Sequence, residues 1–164
     1  RETPRYGGGL GIVMQGRGDG SFNLLSALES GLSLPEDARG LACGDVNNDL
    51  RPDLVASVNN GPLRLFINRG AYRGIVVRLK GRPGNHRAIG ARVTVEVNGL
   101  PPQTAEVQAG SGYLSQSVPE LFFGAGTSKR IERILVRWPD GSETDFDRAL
   151  SVGLQVIELA QPAP

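Results

Sequence analysis

Gly44 to Leu54 reads GDVNNDLRPDL, placing three aspartates and two asparagines in eleven residues ahead of the apolar run Leu54 to Val58. Oxygen-bearing side chains stand at relative positions one, three, five and nine, on Asp45, Asn47, Asp49 and Asp53. A tight loop whose alternate residues turn inward converges these oxygens on one point, with the Arg51 carbonyl at position seven as a further ligand. The set suits a hard cation that takes about 6–8 oxygens, and three carboxylates left uncompensated at close range would repel one another. Calcium is the expected cofactor. The loop is not an EF-hand, because Ala56 stands at position twelve where a bidentate Glu belongs and Leu50 holds position six, usually Gly for the sharp turn. Leu50 must either take a costly backbone conformation or open the loop, so the expected affinity is low. The competing reading is an Asx turn whose side chains cap backbone amides without an ion.

A second stretch, GSGYLSQS, offers the ring of Tyr113 and the hydrogen-bonding groups of Ser115 and Gln116 among glycines that allow close approach. That combination suits a sugar or peptide ligand. The plainer alternative is a loop that seals a domain edge or docks on the first segment. Other candidates carry less. Arg17-Gly18-Asp19 spells an integrin-recognition tripeptide but also satisfies a turn. His86, the only histidine, lies in a Gly/Pro loop and reads as a surface residue, while Cys43 reads as a small buried hydrophobe. Arg78, Lys80 and Arg82, with Arg130, Arg133 and Arg137 downstream, outline either a basic face for anionic glycans or lipid headgroups, or the solvated side of strands. There is no G-x-S-x-G and no phosphate-cradling glycine loop, so no residue is assigned a catalytic role.

The elements that must position these residues are strands. With 39% hydrophobic residues, 23 glycines and 11 prolines in 164 residues, the chain is punctuated by turns too often for long helices. Val93, Val95 and Val97 alternate with Arg92, Thr94 and Glu96, and Ile134, Val136 and Trp138 repeat that half-buried pattern. Asn98-Gly99 and Pro139-Asp140-Gly141 mark turns between such runs. One helical turn is expected within SALESGLSLPEDARG, limited by Pro35. The style changes near Asn68-Arg69-Gly70, from carboxylate loops to a regular series of strands, which divides the chain at 1–70 and 71–164. A formal net charge of +1 suggests no nucleic-acid partner, and a single cysteine precludes an intramolecular disulfide. No run of about 18 apolar residues provides a membrane span, and RETPRYGGG has neither an initiator Met nor an apolar signal core. The chain therefore reads as beginning within a longer protein.

GDVNNDLRPDLVASVNNGPLRLFINRG resembles the FG-GAP or VCBS repeat, one blade of an integrin-α-like β-propeller, and GRGDGSF resembles the hairpin ahead of its calcium loop. That resemblance carries the metal ligands to Asp45, Asn47, Asp49, the Arg51 carbonyl and Asp53, with Leu50 as the departure. From Tyr72 onward, IVVRLKGRPGNHRAIGARVTVEV, VQAGSGYLSQSVPELFFGAG and RILVRWPDGSE resemble the ASPIC/UnbV domain of cartilage-acidic-protein-like proteins. The two resemblances imply an all-β fold, one propeller-like blade packed on a small antiparallel β-sandwich. They also imply missing propeller blades or a partner chain, since a blade buries its faces against neighbours. The expected function is a non-enzymatic, calcium-binding, extracellular or periplasmic module for adhesion or for binding a protein or glycan. The alternatives are a cofactor-free cyclase-type biosynthetic protein, with Tyr113 and Gln116 as first candidates in an enclosed pocket, and a purely structural cap of a larger propeller.

Overall fold

A computed structural model describes residues 9–71, 74–128, 130–147 and 149–163. Residues 1–8, most of the RETPRYGGG stretch, and Tyr72, the expected start of the ASPIC/UnbV resemblance, lie outside the described residues. The first segment opens with a hairpin of β1 (Val13–Gly16) and β2 (Phe22–Leu25). A single helical turn, α1 (Ala27–Ser30), follows. Ser26 caps it, accepting from the Glu29 amide while the Glu29 carboxylate answers the Ser26 amide, the reciprocal arrangement of a capping box. Gly31 ends it at φ 69°, so the stop comes from a left-handed glycine cap ahead of Pro35. β3 (Ala38–Gly44), β4 (Asp53–Val58) and β5 (Arg64–Phe66) then form an antiparallel sheet.

The second segment contributes β6 (Gly74–Lys80), β7 (Arg92–Val97), β8 (Gln103–Glu106), β9 (Leu121–Gly124), β10 (Arg130–Arg137), β11 (Glu143–Phe146), β12 (Leu150–Ser151) and β13 (Gln155–Ala160). One sheet runs β11-β10-β7-β8 with β12 also on β10, and the other runs β13-β6-β9. The all-β expectation holds. Within it, β6 and β13 pair in parallel rather than antiparallel. β13 returns to β6 only after the chain has built the other sheet, and that long crossover lets it enter alongside β6 in the same direction.

Val93, Val95 and Val97 are buried on one face of β7, as their alternation demands. On β10 the buried residues Ile131, Ile134 and Val136 break that period. A bulge between Ile131 and Arg133 inserts a residue and turns both isoleucines inward. Facing them from the opposite sheet are Ile75, Val77, Leu121, Phe123 and Leu159, and Trp138 lies in the same cluster. Among the described residues the contiguous core cluster thus lies in the second segment. In the first, Leu34, Ala56 and Asp53 are buried, while Ile12, Met14, Phe22, Leu24 and Leu65 are exposed.

Candidate functional site

The acidic loop joins β3 to β4 and is closed at its base by the Gly44–Asp53 pairing. Inside it, the Asp45 carboxylate accepts the amides of Asp49 at 3.0 Å and Leu50 at 2.8 Å. Asn47 Oδ1 accepts the Asp49 amide at 3.2 Å, and Asp49 Oδ1 accepts the Arg51 amide at 2.9 Å. Asp53 is fully buried and braces the loop from below, with Oδ2 accepting the Val46 amide at 3.0 Å and Oδ1 the Asn68 amide at 2.8 Å. Each carboxylate therefore accepts backbone amides in the manner of an Asx-type cap.

The sharp turn falls at Leu50, whose φ is 64°, beside Asn48 at 60°. Of the two outcomes open to Leu50, the chain takes the strained one, a left-handed backbone that costs an L-residue with a Cβ about 1–2 kcal/mol. Leu50→Gly relieves that strain, and we expect a gain of about 1 kcal/mol in a urea-melt measurement. A loss instead would mean that the contacts of the Leu50 side chain outweigh the strain.

The donors in the loop are hard oxygens, which fit a hard cation. Yet the outer oxygen of Asp49 is already engaged, by Asn47 Nδ2 at 3.0 Å and by Arg51 Nη1 at 3.2 Å. Burial raises the Asp49 pKa, but the hydrogen bonds from Asn47 and Arg51 and the Arg51 charge outweigh it, so the group lies below the ordinary aspartate value. Among the described residues, no three Asp, Glu, His or Cys side chains are gathered closely enough to hold a metal. A cation at this loop would have to displace the guanidinium and turn the Asn47 amide.

The GSGYLSQS stretch folds back on itself through a bridge between Gly112 and Ser115, with Leu114 at φ 48° on the tip. Tyr113 is 71% exposed there, Ser115 Oγ is buried, and Gln116 Oε1 accepts the Gly110 amide at 3.4 Å. The three candidate ligand residues thus serve different ends, one in solvent and two within the loop. Immediately beyond them, Ser117 and Val118 form a strap along β3. The Val118 amide donates to the Cys43 carbonyl and the Cys43 amide to Ser117 Oγ, both at 3.0 Å. Gly44 makes the approach possible, since a Cβ there would meet Val118 Cγ1 at 2.7 Å. The strap thus docks the end of this stretch on the first segment. Sequence reasoning missed the partners Cys43, Gly44, Ser117 and Val118, and the only local signal was the pair of glycines Gly40 and Gly44 in one strand.

The remaining candidates resolve by their partners. Arg17 is held by Asn23 and Asp19 caps Ser21, so the RGD tripeptide is part of the β1–β2 turn. Arg78 pairs with Glu120, Arg82 with Asp140, and Arg133 with Asp145 and Glu96, which neutralises much of the expected basic face. His86 is exposed. Burial pushes the Cys43 thiol up, with Asp53 adding to the shift, so the group is a poor nucleophile. Among the described residues no helix is long and apolar enough to cross a membrane.

Comparison with known families matches residues 81–162 to the ASPIC and UnbV model. No curated protein matches the chain.

Proposed function

The chain belongs to the ASPIC and UnbV family, and on that premise we propose that it is a non-enzymatic, calcium-binding module of an extracellular or periplasmic protein, used to bind a protein or glycan partner. Extracellular proteins are the usual setting of this family. The observation that carries the metal reading is the loop itself. Asp45, Asn47 and Asp49 carry their oxygens on a single turn, with Asp53 bracing it from the start of β4, and the chain accepts a left-handed Leu50 to keep that turn sharp. Asp45, Asn47, Asp49, the Arg51 carbonyl and Asp53 would hold the ion, which would supply the positive charge that now comes from Arg51 alone. A strained, partly pre-empted site suits a compartment with calcium near millimolar.

The exposed hairpin supports a further part of the reading. Met14 lies directly opposite Leu24, and Phe22 shares their face, all three more than half exposed. Such a face is the surface against which further propeller blades, of the FG-GAP or VCBS kind, or a partner chain would pack. A second reading, a structural cap of a larger propeller, is favoured by the strap, because it seals the outer edge of β3 against other strands. The cyclase alternative draws nothing from Tyr113, which stands in solvent rather than in an enclosed pocket.

Calcium titrated calorimetrically into chelator-treated protein should give heat of binding in the wild type and a much weaker signal in Asp49→Ala. Silence in the wild type at millimolar calcium would remove the metal from the proposal.

A further inference from the structure

We propose that the cleft where Arg78, His86, Arg87 and Glu120 converge is a binding site for an acidic sugar unit, one bearing a carboxylate or a sulfate. This rests on the proposed function, in which the chain presents a site to a glycan. The cleft measures about 140 Å³, and a neighbouring cleft of about 120 Å³ shares Arg78 and Glu120 with it. At their boundary Arg78 Nε approaches Glu120 Oε1 at 3.5 Å, a single loose contact rather than a two-pronged pair. The other oxygen, Glu120 Oε2, is shut off from solvent and has no hydrogen-bond donor. A ligand hydroxyl meets that acceptor once the Glu120 side chain, itself partly exposed, turns into the cleft, and the hydrogen bond gained there favours such a ligand.

Beside it, Arg87 and His86 are exposed, and among the described residues their side chains make no hydrogen bond or ion pair, so an anion arriving there would displace no protein partner. Guanidinium groups suit carboxylates and sulfates by their fixed fork of donors. Pro119 completes the wall as apolar surface for a ring's C–H face, while Leu79 turns its side chain to the core. A bare anion would answer Arg87 but would leave Glu120 Oε2 without a donor and add a like charge beside it. A cation would answer Glu120 and meet two guanidiniums. A small ring carrying both an acid and hydroxyls satisfies the two ends together, which is the chemistry of a uronic acid or a sulfated sugar.

The test is calorimetric titration of the full chain, in calcium, with a glucuronate-bearing disaccharide and a sulfated disaccharide, against a neutral disaccharide and inorganic sulfate. At least one acidic disaccharide should bind, with the neutral sugar and inorganic sulfate at least tenfold weaker. Arg87→Ala and the nearly isosteric Glu120→Gln should each lose at least tenfold in affinity with unchanged thermal melting, while Arg137→Ala on the other sheet keeps it. Equal binding of the neutral sugar or of inorganic sulfate, no binding of either acidic sugar, or full affinity in both cleft variants would overturn the proposal. Repeating the titration on Asp49→Ala separates the two readings, since a lost calcium signal with retained sugar affinity touches the loop alone.

Discussion

Trp138→Ala should cost about 3–5 kcal/mol, the range for deleting a buried Trp or Phe, and lower the calorimetric melting temperature by about 10 °C or more. The ring is 2% exposed and belongs to the core cluster, beside strands from both sheets of the sandwich. Its Nε1 donates to Thr144 Oγ1 at 2.8 Å, so truncation removes packing and also strips a donor from that hydroxyl. Trp138→Phe separates the two contributions. It keeps much of the volume and loses the hydrogen bond, which is worth about 1 kcal/mol net. A drop below about 1 kcal/mol in Trp138→Ala would show that the sandwich does not depend on this residue, and that the core has collapsed around the gap.

Asp53→Ala should be the most damaging change in the first segment, at about 2–4 kcal/mol, because it leaves two backbone amides without their charged acceptor. The two bonds reach in different directions. Val46 belongs to the loop, whereas Asn68 lies beyond β5, so one side chain holds the loop and the far end of the sheet together. Asp53→Asn keeps one acceptor oxygen and turns an NH₂ toward the other amide, and should lose roughly half as much. Hydrogen exchange at Val46 and Asn68 is the direct readout, with faster exchange at both in Asp53→Ala. Unchanged protection at Asn68 would mean that β4 and β5 hold that end without the carboxylate.

These two residues differ in how they could be found. Trp138 was legible from its place in a β-period beside a Pro-Asp-Gly turn, since alternation reports which side chains share a face. Asp53 was legible as an oxygen donor, but its engagement with Asn68 was not, because that amide lies outside the loop. The same contrast runs through the second segment. Val93, Val95 and Val97 announced an inward face, while the bulge at Ile131 and Arg133 broke the period that would have announced β10's.

By itself the sequence determined what depends on neighbours along the chain: a strand-rich fold, a helical turn within SALESGLSLPEDARG, an acidic loop leading into a strand, and the composition change near residue 70. Tertiary structure alone decided the meetings of distant segments. Cys43 pairs with Ser117 across 74 positions of sequence, β13 lies parallel to β6, and Arg78 meets Glu120 beside Arg87. The physical reason is that propensity and periodicity are local, set by backbone sterics and by the choice between core and solvent. Which edge a strap covers, or which guanidinium faces a lone carboxylate oxygen, depends on how the finished sheets stack, and no residue's immediate neighbours carry that information.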